Sequence, residues 1–123
     1  MKNLTEYLKK VKKENIGFDY TNEEECLEAV GQNGNSIRYI ENPTEKVCLK
    51  AVEGNSYSIR YIENPSEAVQ LKAVEENSYS IRHIKNPSEK VIIEVVRKNK
   101  YAIQFINIGK LSEETKEILI YLV

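Results

Sequence analysis

The chain has 123 residues, of which 41% are hydrophobic and 30% charged, a composition that is typical of one folded domain and excludes a disordered polypeptide. It contains no apolar run near the roughly 18 residues of a membrane-spanning helix. Its first residues, MKNLTEYLKKVKKEN, are charged throughout and give no sign of a signal-peptide core. We therefore expect a cytoplasmic protein that has no membrane partner.

The net charge of −1 conceals an uneven distribution of charged residues. Residues 1–13 carry five lysines against one glutamate, residues 14–80 carry 13 acids against five bases, and residues 81–123 carry eight bases against five acids. The acidic middle argues against a nucleic-acid-binding stripe along the whole chain.

The first predicted element is a lysine-rich amphipathic helix, Leu4–Glu14. Its apolar side chains are Leu4, Tyr7, Leu8 and Val11. We expect this helix to lie in an N-terminal cap, residues 1–19, because the end units of a repeat array differ from the internal ones.

A 22-residue repeat occupies the centre of the chain. Asn42–Glu63 and Asn64–Lys85 are identical at 16 of 22 positions. A period of this length indicates a solenoid, in which each unit buries its apolar face against its neighbours. We therefore predict one all-α domain, residues 1–123, forming a short right-handed α-solenoid with a capping helix at each end. Its helix-turn-helix repeats are 20–41, 42–63, 64–85 and 86–107.

Each repeat is predicted to contain a long helix, a one-residue break and a short helix such as Ser56–Ile62. The expected N-caps of the long helices, each followed by proline at the first helical position, are Asn42, Asn64 and Asn86. The expected left-handed residues that end those helices are Asn33, Asn55, Asn77 and Asn99. Alternation within the short segment leaves open a strand-plus-helix unit resembling a leucine-rich repeat.

The last predicted helix begins at Ser112-Glu113-Glu114, within a C-terminal cap of residues 108–123. Its inward side chains are expected to include Ile118, Leu119 and Leu122. The closing segment ILIYLV is apolar enough to pair with a second copy, so a homodimer through this helix is one expectation.

A pattern A-V-x-x-N-x-x-x-I/L-x-x-I recurs as AVEGNSYSIRYI (Ala51–Ile62) and AVEENSYSIRHI (Ala73–Ile84). It resembles a family of tandem 22-residue α-helical repeats of unknown function, found in bacterial, protist and bacteriophage proteins. The spacing is also similar to leucine-rich-repeat variants and other HEAT-like solenoids, which mostly bind proteins or nucleic acids. The resemblance covers about residues 22–106 and implies a fold, but no catalytic residue.

No motif in the sequence indicates catalysis. CxxC, HExxH, P-loop and GxSxG patterns are all missing, and Asp19 is the only aspartate. Cys26 and Cys48 share one repeat position, where we expect small buried hydrophobic residues and not a disulfide. We therefore expect no enzymatic activity, no cofactor and no metal site.

The candidate partner-binding residues recur from repeat to repeat on the predicted short helices. Arginine recurs every 22 residues, and tyrosine four residues before Tyr61 and His83 is expected on their face of the helix. Arginine and aromatic residues are enriched at protein-binding hot spots. An alternative is that the tyrosines merely pack between adjacent short helices while each arginine pairs with a glutamate. The candidates are Arg38, Tyr39, Tyr57, Arg60, Tyr61, Tyr79, Arg82 and His83.

These features predict a non-enzymatic protein-interaction module, acting as an adaptor or an inhibitor. The resemblance to phage repeats suggests a narrower form, in which a phage or mobile-element protein blocks a bacterial host factor such as a defence nuclease. The alternatives are single-stranded nucleic-acid binding by the aromatic residues and self-assembly of the stacked repeats.

Overall fold

A computed structural model describes Leu4, Glu6 and residues 17–123 of the chain. Apart from Leu4 and Glu6, the predicted helix Leu4–Glu14 lies outside the described residues. Every regular element between residues 17 and 123 is helical. The prediction of an all-α fold is therefore confirmed, and the strand of the leucine-rich-repeat alternative is not found in the described part of the chain.

Four repeats each contain a ten-residue α-helix, one extended residue and a six-residue 3₁₀-helix. The pairs are α1 (Glu23–Gln32) with η1 (Gly34–Tyr39), α2 (Glu45–Gly54) with η2 (Ser56–Tyr61), α3 (Glu67–Glu76) with η3 (Ser78–His83), and α4 (Glu89–Lys98) with η4 (Lys100–Phe105). A 3₁₀ turn, η5 (Ile108–Lys110), and the helix α5 (Glu113–Leu122) follow. Successive α-helices pack side by side, as do η1 to η4. The described residues therefore form a solenoid with an α layer and a 3₁₀ layer.

The α-helices of the second, third and fourth repeats begin two residues later than predicted. Thr44 is the N-cap of α2, and its hydroxyl accepts a hydrogen bond from Val47 N over 3.3 Å. Ser66 and Ser88 cap α3 and α4 in the same way. The asparagines that precede proline at positions 42, 64 and 86 are not caps, because the hydroxyl nearer the helix already satisfies a free amide of the first turn. The predicted start of the last helix is confirmed, since Ser112 caps α5.

A single asparagine joins the two helices of each repeat, and it is extended instead of left-handed. Asn55 has φ −152°, donates its backbone N–H to Ala51 O at the end of α2, and accepts from Tyr57 N through its side chain over 3.1 Å. The left-handed prediction was wrong because η2 begins at the next residue and the same asparagine must cap its start. Asn33, Asn77 and Asn99 repeat this geometry.

The core lies between the two layers. In the second repeat Val47, Cys48, Ala51 and Val52 of α2 are buried against Ile59 of η2. Cys26 and Cys48 are both buried and free, as the sequence predicts. Among the described helices, none combines the length and the apolar character that a membrane crossing requires.

Polar side chains connect each α-helix to the next. A glutamate in the first turn of one α-helix accepts a hydrogen bond from the N-cap residue of the next α-helix. Examples are Thr44 Oγ1 to Glu23 Oε1 at 2.6 Å and Ser112 N to Glu89 Oε1 at 2.6 Å. At the third junction Gln70 takes this role, since its Oε1 accepts from Ser88 N over 3.0 Å. These bonds fix the start of one helix against its predecessor.

A second set of polar contacts connects the 3₁₀-helices. Asn35 Oδ1 accepts from Ser58 Oγ at 3.1 Å, and the hydroxyl of Tyr57, which occupies the same repeat position as Asn35, accepts from Asn77 Nδ2 at 3.2 Å. Ser80 corresponds to Ser58 and is fully buried, yet its hydroxyl has no hydrogen-bond partner among the described residues. The acceptor of Ser58 is Asn35 in the preceding repeat. The repeat that precedes Ser80 has Tyr57 at that position instead, which explains the missing acceptor.

Candidate partner-binding face

The 3₁₀ geometry changes which candidate residues align. A 3₁₀-helix has three residues per turn, so side chains three apart share a face and side chains four apart do not. Tyr57 is therefore aligned with Arg60 and not with Tyr61. The expectation of a shared face for residues four apart was wrong because it assumed an α-helix.

The three arginines at the recurring position lie over aromatic rings. Arg38 Cζ is 5.2 Å from the ring centroid of Tyr39 and 5.4 Å from that of Tyr61 in the next repeat. Arg60 Cζ is 4.7 Å from the ring centroid of Tyr61, and Arg60 also donates a hydrogen bond to the Tyr61 hydroxyl over 2.9 Å. These distances are within the range of cation–π attraction. We call Arg38, Arg60 and Arg82 the arginine row.

Arg82 repeats the arrangement with a residue that the sequence analysis did not select. Its Cζ lies 5.4 Å from the ring centroid of Phe105, which is 22 residues beyond His83. Tyr101, 64% exposed, corresponds in the same way to Tyr79. Each follows a selected candidate by 22 residues, so applying the period to the candidate residues would have added both.

Aromatic rings also contact one another across repeat boundaries. Tyr57 meets His83 edge to face with centroids 5.2 Å apart, and Tyr79 meets Phe105 in the same way at 5.8 Å. At the start of the array Tyr39 stacks on Tyr20, with centroids 6.2 Å apart. The tyrosines therefore do pack between adjacent short helices, as one of the alternatives had it.

The other half of that alternative is not found. The ion pairs within 4.0 Å in which both partners are described residues are Lys72–Glu76, Arg97–Glu94 and Lys116–Glu113. None of them includes a member of the arginine row. All three arginines are exposed to solvent, so the described part of the chain leaves three guanidinium groups without a neutralising carboxylate.

The structure places all eight candidate residues on the 3₁₀ layer. Tyr39 and Tyr79 are exposed, whereas Tyr57, Tyr61 and His83 are half-buried between repeats. Burial lowers the pKa of His83, and the charges of Arg82 and Arg60 lower it further. A lowered pKa favours the neutral ring at pH 7, so the positive charge of this face comes from the arginines.

No other arrangement of side chains in the described residues suggests chemistry. Within residues 17–123, no group of three or more His, Cys, Asp or Glu side chains could hold a metal ion. Burial raises the pKa of both the Cys26 and the Cys48 thiol, and nearby carboxylates raise it further. A thiol with a raised pKa is a poor nucleophile at neutral pH.

Comparison of the chain with protein-family models, with curated proteins and with solved structures finds no match. The case for a function therefore depends on the residues and geometry described above.

Proposed function

We propose that this chain is a cytoplasmic, non-enzymatic protein-interaction module that binds a protein partner through the arginine row and the rings beneath it. One observation supports the proposal above the others. Three exposed guanidinium groups recur at one position of successive repeats, and each lies over an aromatic ring without a carboxylate partner among the described residues.

The rings make these arginines suited to binding. A long side chain loses conformational freedom when a partner immobilises it, and this loss opposes association. An arginine that already lies on a ring has lost part of that freedom before the partner arrives. Its planar group still has N–H donors available at its edge for a carboxylate. Arginine and tyrosine are also among the residues that contribute most at protein interfaces.

A charge-reversal experiment tests the face. The variant R38E/R60E/R82E is compared with K46E/K50E/K90E, which makes the same change in net charge at three exposed lysines of the α layer. Wild type and both variants are used to capture proteins from source-host lysate, which are identified by mass spectrometry. We expect the partner to be lost with the arginine variant and retained with the lysine variant.

Circular dichroism of both variants provides the control for folding. Capture of the same partner by the folded arginine variant would contradict the proposed face. Loss with both variants would show that net charge matters and the position of the arginines does not.

The narrower proposal assigns the chain to the 22-residue repeat family and makes it a phage or mobile-element inhibitor of a bacterial host factor, such as a defence nuclease. It is supported by the resemblance of Ala51–Ile62 and Ala73–Ile84 to that family's pattern. Expression of the chain in the source host should then reduce nuclease-based defence against phage infection. Unchanged phage restriction across the host's nuclease systems would remove this version.

A second candidate function, self-association through α5, is supported by the exposure of one repeat position. Ile120 follows its cap, Ser112, by eight residues, as Val52, Val74 and Val96 follow theirs. Those three valines are at most 3% exposed, whereas Ile120 is 70% exposed. Tyr121 beside it is 89% exposed. The last helix therefore presents an apolar side chain at a position that the inner repeats cover.

Light scattering tests this candidate directly. We expect wild type to have the mass of a dimer and the variant Ile120→Glu that of a monomer, since a buried carboxylate opposes pairing. Because Ile120 is exposed, the substitution should leave the fold intact, and circular dichroism verifies this. A monomeric wild type at high concentration would eliminate self-association.

A further inference from the structure

Two members of the arginine row share one aromatic ring. Arg38 Cζ lies 5.4 Å and Arg60 Cζ 4.7 Å from the ring centroid of Tyr61. The two guanidinium carbons are therefore within about 10 Å of each other, so two positive charges are concentrated around one ring. No described carboxylate forms an ion pair within 4.0 Å with either group.

We infer that Arg38, Arg60 and Tyr61 form a binding site for a side-chain carboxylate of an acidic protein segment. The inference deepens the proposed function and rests on it. A carboxylate at the outer edge of either guanidinium group would accept charge-assisted hydrogen bonds from its N–H donors and lower the positive charge around the ring. The ring and its hydroxyl hold Arg60 in place, so the site exists before the ligand arrives.

The surroundings of Tyr61 carry charges of both signs. A hollow of about 210 Å³ beside Tyr61 is lined by Arg60, His83 and Lys85, with Glu63 also in its wall. A second hollow beside Tyr61 is lined by Glu41, Glu45 and Glu63. These three carboxylates would repel any long polyanion that ran past them, so the site suits a carboxylate that approaches from the arginine side.

The occupied ring faces also disfavour nucleic acid. Binding of single strands uses aromatic faces on which bases stack. Tyr61 is already covered by guanidinium groups, and Arg82 lies over Phe105. Tyr57 contacts His83 edge to face. The rings thus hold arginines and one another, and an acidic protein segment is the ligand that this arrangement fits.

The test uses three fluorescent probes on the whole chain. They are a dodecapeptide alternating glutamate and glycine, the same peptide with glutamine in place of glutamate, and an oligothymidylate of equal length. Fluorescence anisotropy should show the glutamate peptide binding at least about tenfold more tightly than either other probe, with an affinity that falls as salt is added.

The variant Arg38→Gln with Arg60→Gln should reduce binding of the glutamate peptide to the level of the glutamine peptide. Lys46→Gln with Lys50→Gln removes two exposed charges from the α layer and should leave the affinity within about twofold of wild type. Tyr61→Leu retains both arginines without the ring and should give an intermediate affinity, because the guanidinium groups lose their support.

Equal affinity for the two peptides, or unchanged affinity in the double arginine variant, would overturn the inference. Tighter binding of the oligothymidylate would overturn it in favour of nucleic acid. If only the carboxylate site is wrong, R38E/R60E/R82E should still lose the partner in lysate capture, but the glutamate and glutamine peptides should bind equally. If only the proposed function is wrong, the glutamate peptide should still bind more tightly than the glutamine peptide, but R38E/R60E/R82E should capture the same proteins as wild type.

Discussion

The second and third repeats, residues 42–63 and 64–85, are identical at 16 of 22 positions, yet several identical side chains have different partners. Ser58 donates to Asn35, whereas Ser80 has no partner among the described residues. The hydroxyl of Tyr57 accepts from Asn77, whereas no hydrogen bond to the hydroxyl of Tyr79 is found in residues 17–123. A residue in this array thus takes its role from the neighbouring repeat as much as from its own.

The isoleucines at the centre of the 3₁₀-helices should give the largest and most similar effects. Ile59 and Ile81 are 1% and 2% exposed at equivalent positions. Ile59→Ala and Ile81→Ala should each lower the free energy of unfolding by about 2–4 kcal/mol, because each leaves a cavity. Urea denaturation measures both, and a difference between them above about 2 kcal/mol would show that even the core differs between these repeats.

The paired serines should give different effects, a loss of stability for one and no loss for the other. Ser58→Ala removes the hydrogen bond to Asn35 and should lower the free energy of unfolding by about 1 kcal/mol. Ser80→Ala removes a buried hydroxyl without a partner, so stability should stay the same or rise by up to about 1 kcal/mol. Ala102 fills the same position in the fourth repeat and is fully buried there. Equal losses in both variants, by thermal and urea denaturation, would contradict this assignment.

The paired tyrosines should show a smaller contrast. Tyr57→Phe deprives Asn77 Nδ2 of its acceptor and should lower the free energy of unfolding by about 0.5–1 kcal/mol. Tyr79→Phe should change it by less than about 0.3 kcal/mol, because Tyr79 is an exposed residue whose hydroxyl makes no hydrogen bond to the described residues. A larger loss for Tyr79→Phe than for Tyr57→Phe would reverse our interpretation of this position.

The smallest expected change in stability depends on pH. It follows from comparing the junction of α3 and α4 with the junction of α4 and α5. Ser88 is held by the neutral Gln70, whereas Ser112 is held by Glu89, whose pKa is lowered mainly by the Ser112 N–H. A lowered carboxyl pKa stabilises the folded state at neutral pH, and this contribution is lost as the pH falls through the lowered value, below the usual 4.5. Because Glu89 is exposed, solvent screens the effect.

Glu89→Gln should therefore lower the Tm slightly at neutral pH and leave it equal to that of wild type in strong acid. Thermal denaturation followed by circular dichroism at several pH values measures this convergence. A constant difference between wild type and variant across the whole range would show that the charge of Glu89 does not contribute.

The period of the sequence was sufficient to predict the layered array, because stacking is the way in which a 22-residue unit can bury Val47, Ala51 and Ile59. The ends of the helices were less predictable. Asn42 and Thr44 are both good caps, and the choice between them depends on which one lies beside the first free amides. The conformation of Asn55 depends on the helix after it, which the sequence did not distinguish from a second α-helix.

The candidate face was predictable in its members and not in its contacts. The period itself selects Arg38, Arg60 and Arg82, and it places the aromatic residues near them. That Arg38 reaches the ring of Tyr61, in the following repeat, depends on the offset between stacked units, which no single repeat encodes. The absence of a glutamate partner for these arginines in the described residues could not be derived from charge counts either.

The unpartnered hydroxyl of Ser80 bears on whether one repeat can take the place of another. A serine with an acceptor in front of it, as Ser58 has in Asn35, is useful where it stands. A duplicate of that unit, placed behind Tyr57, keeps the serine but loses the acceptor. Near-identical repeats are therefore not interchangeable in position, because the side chain that the preceding repeat supplies decides whether the buried serine has a partner.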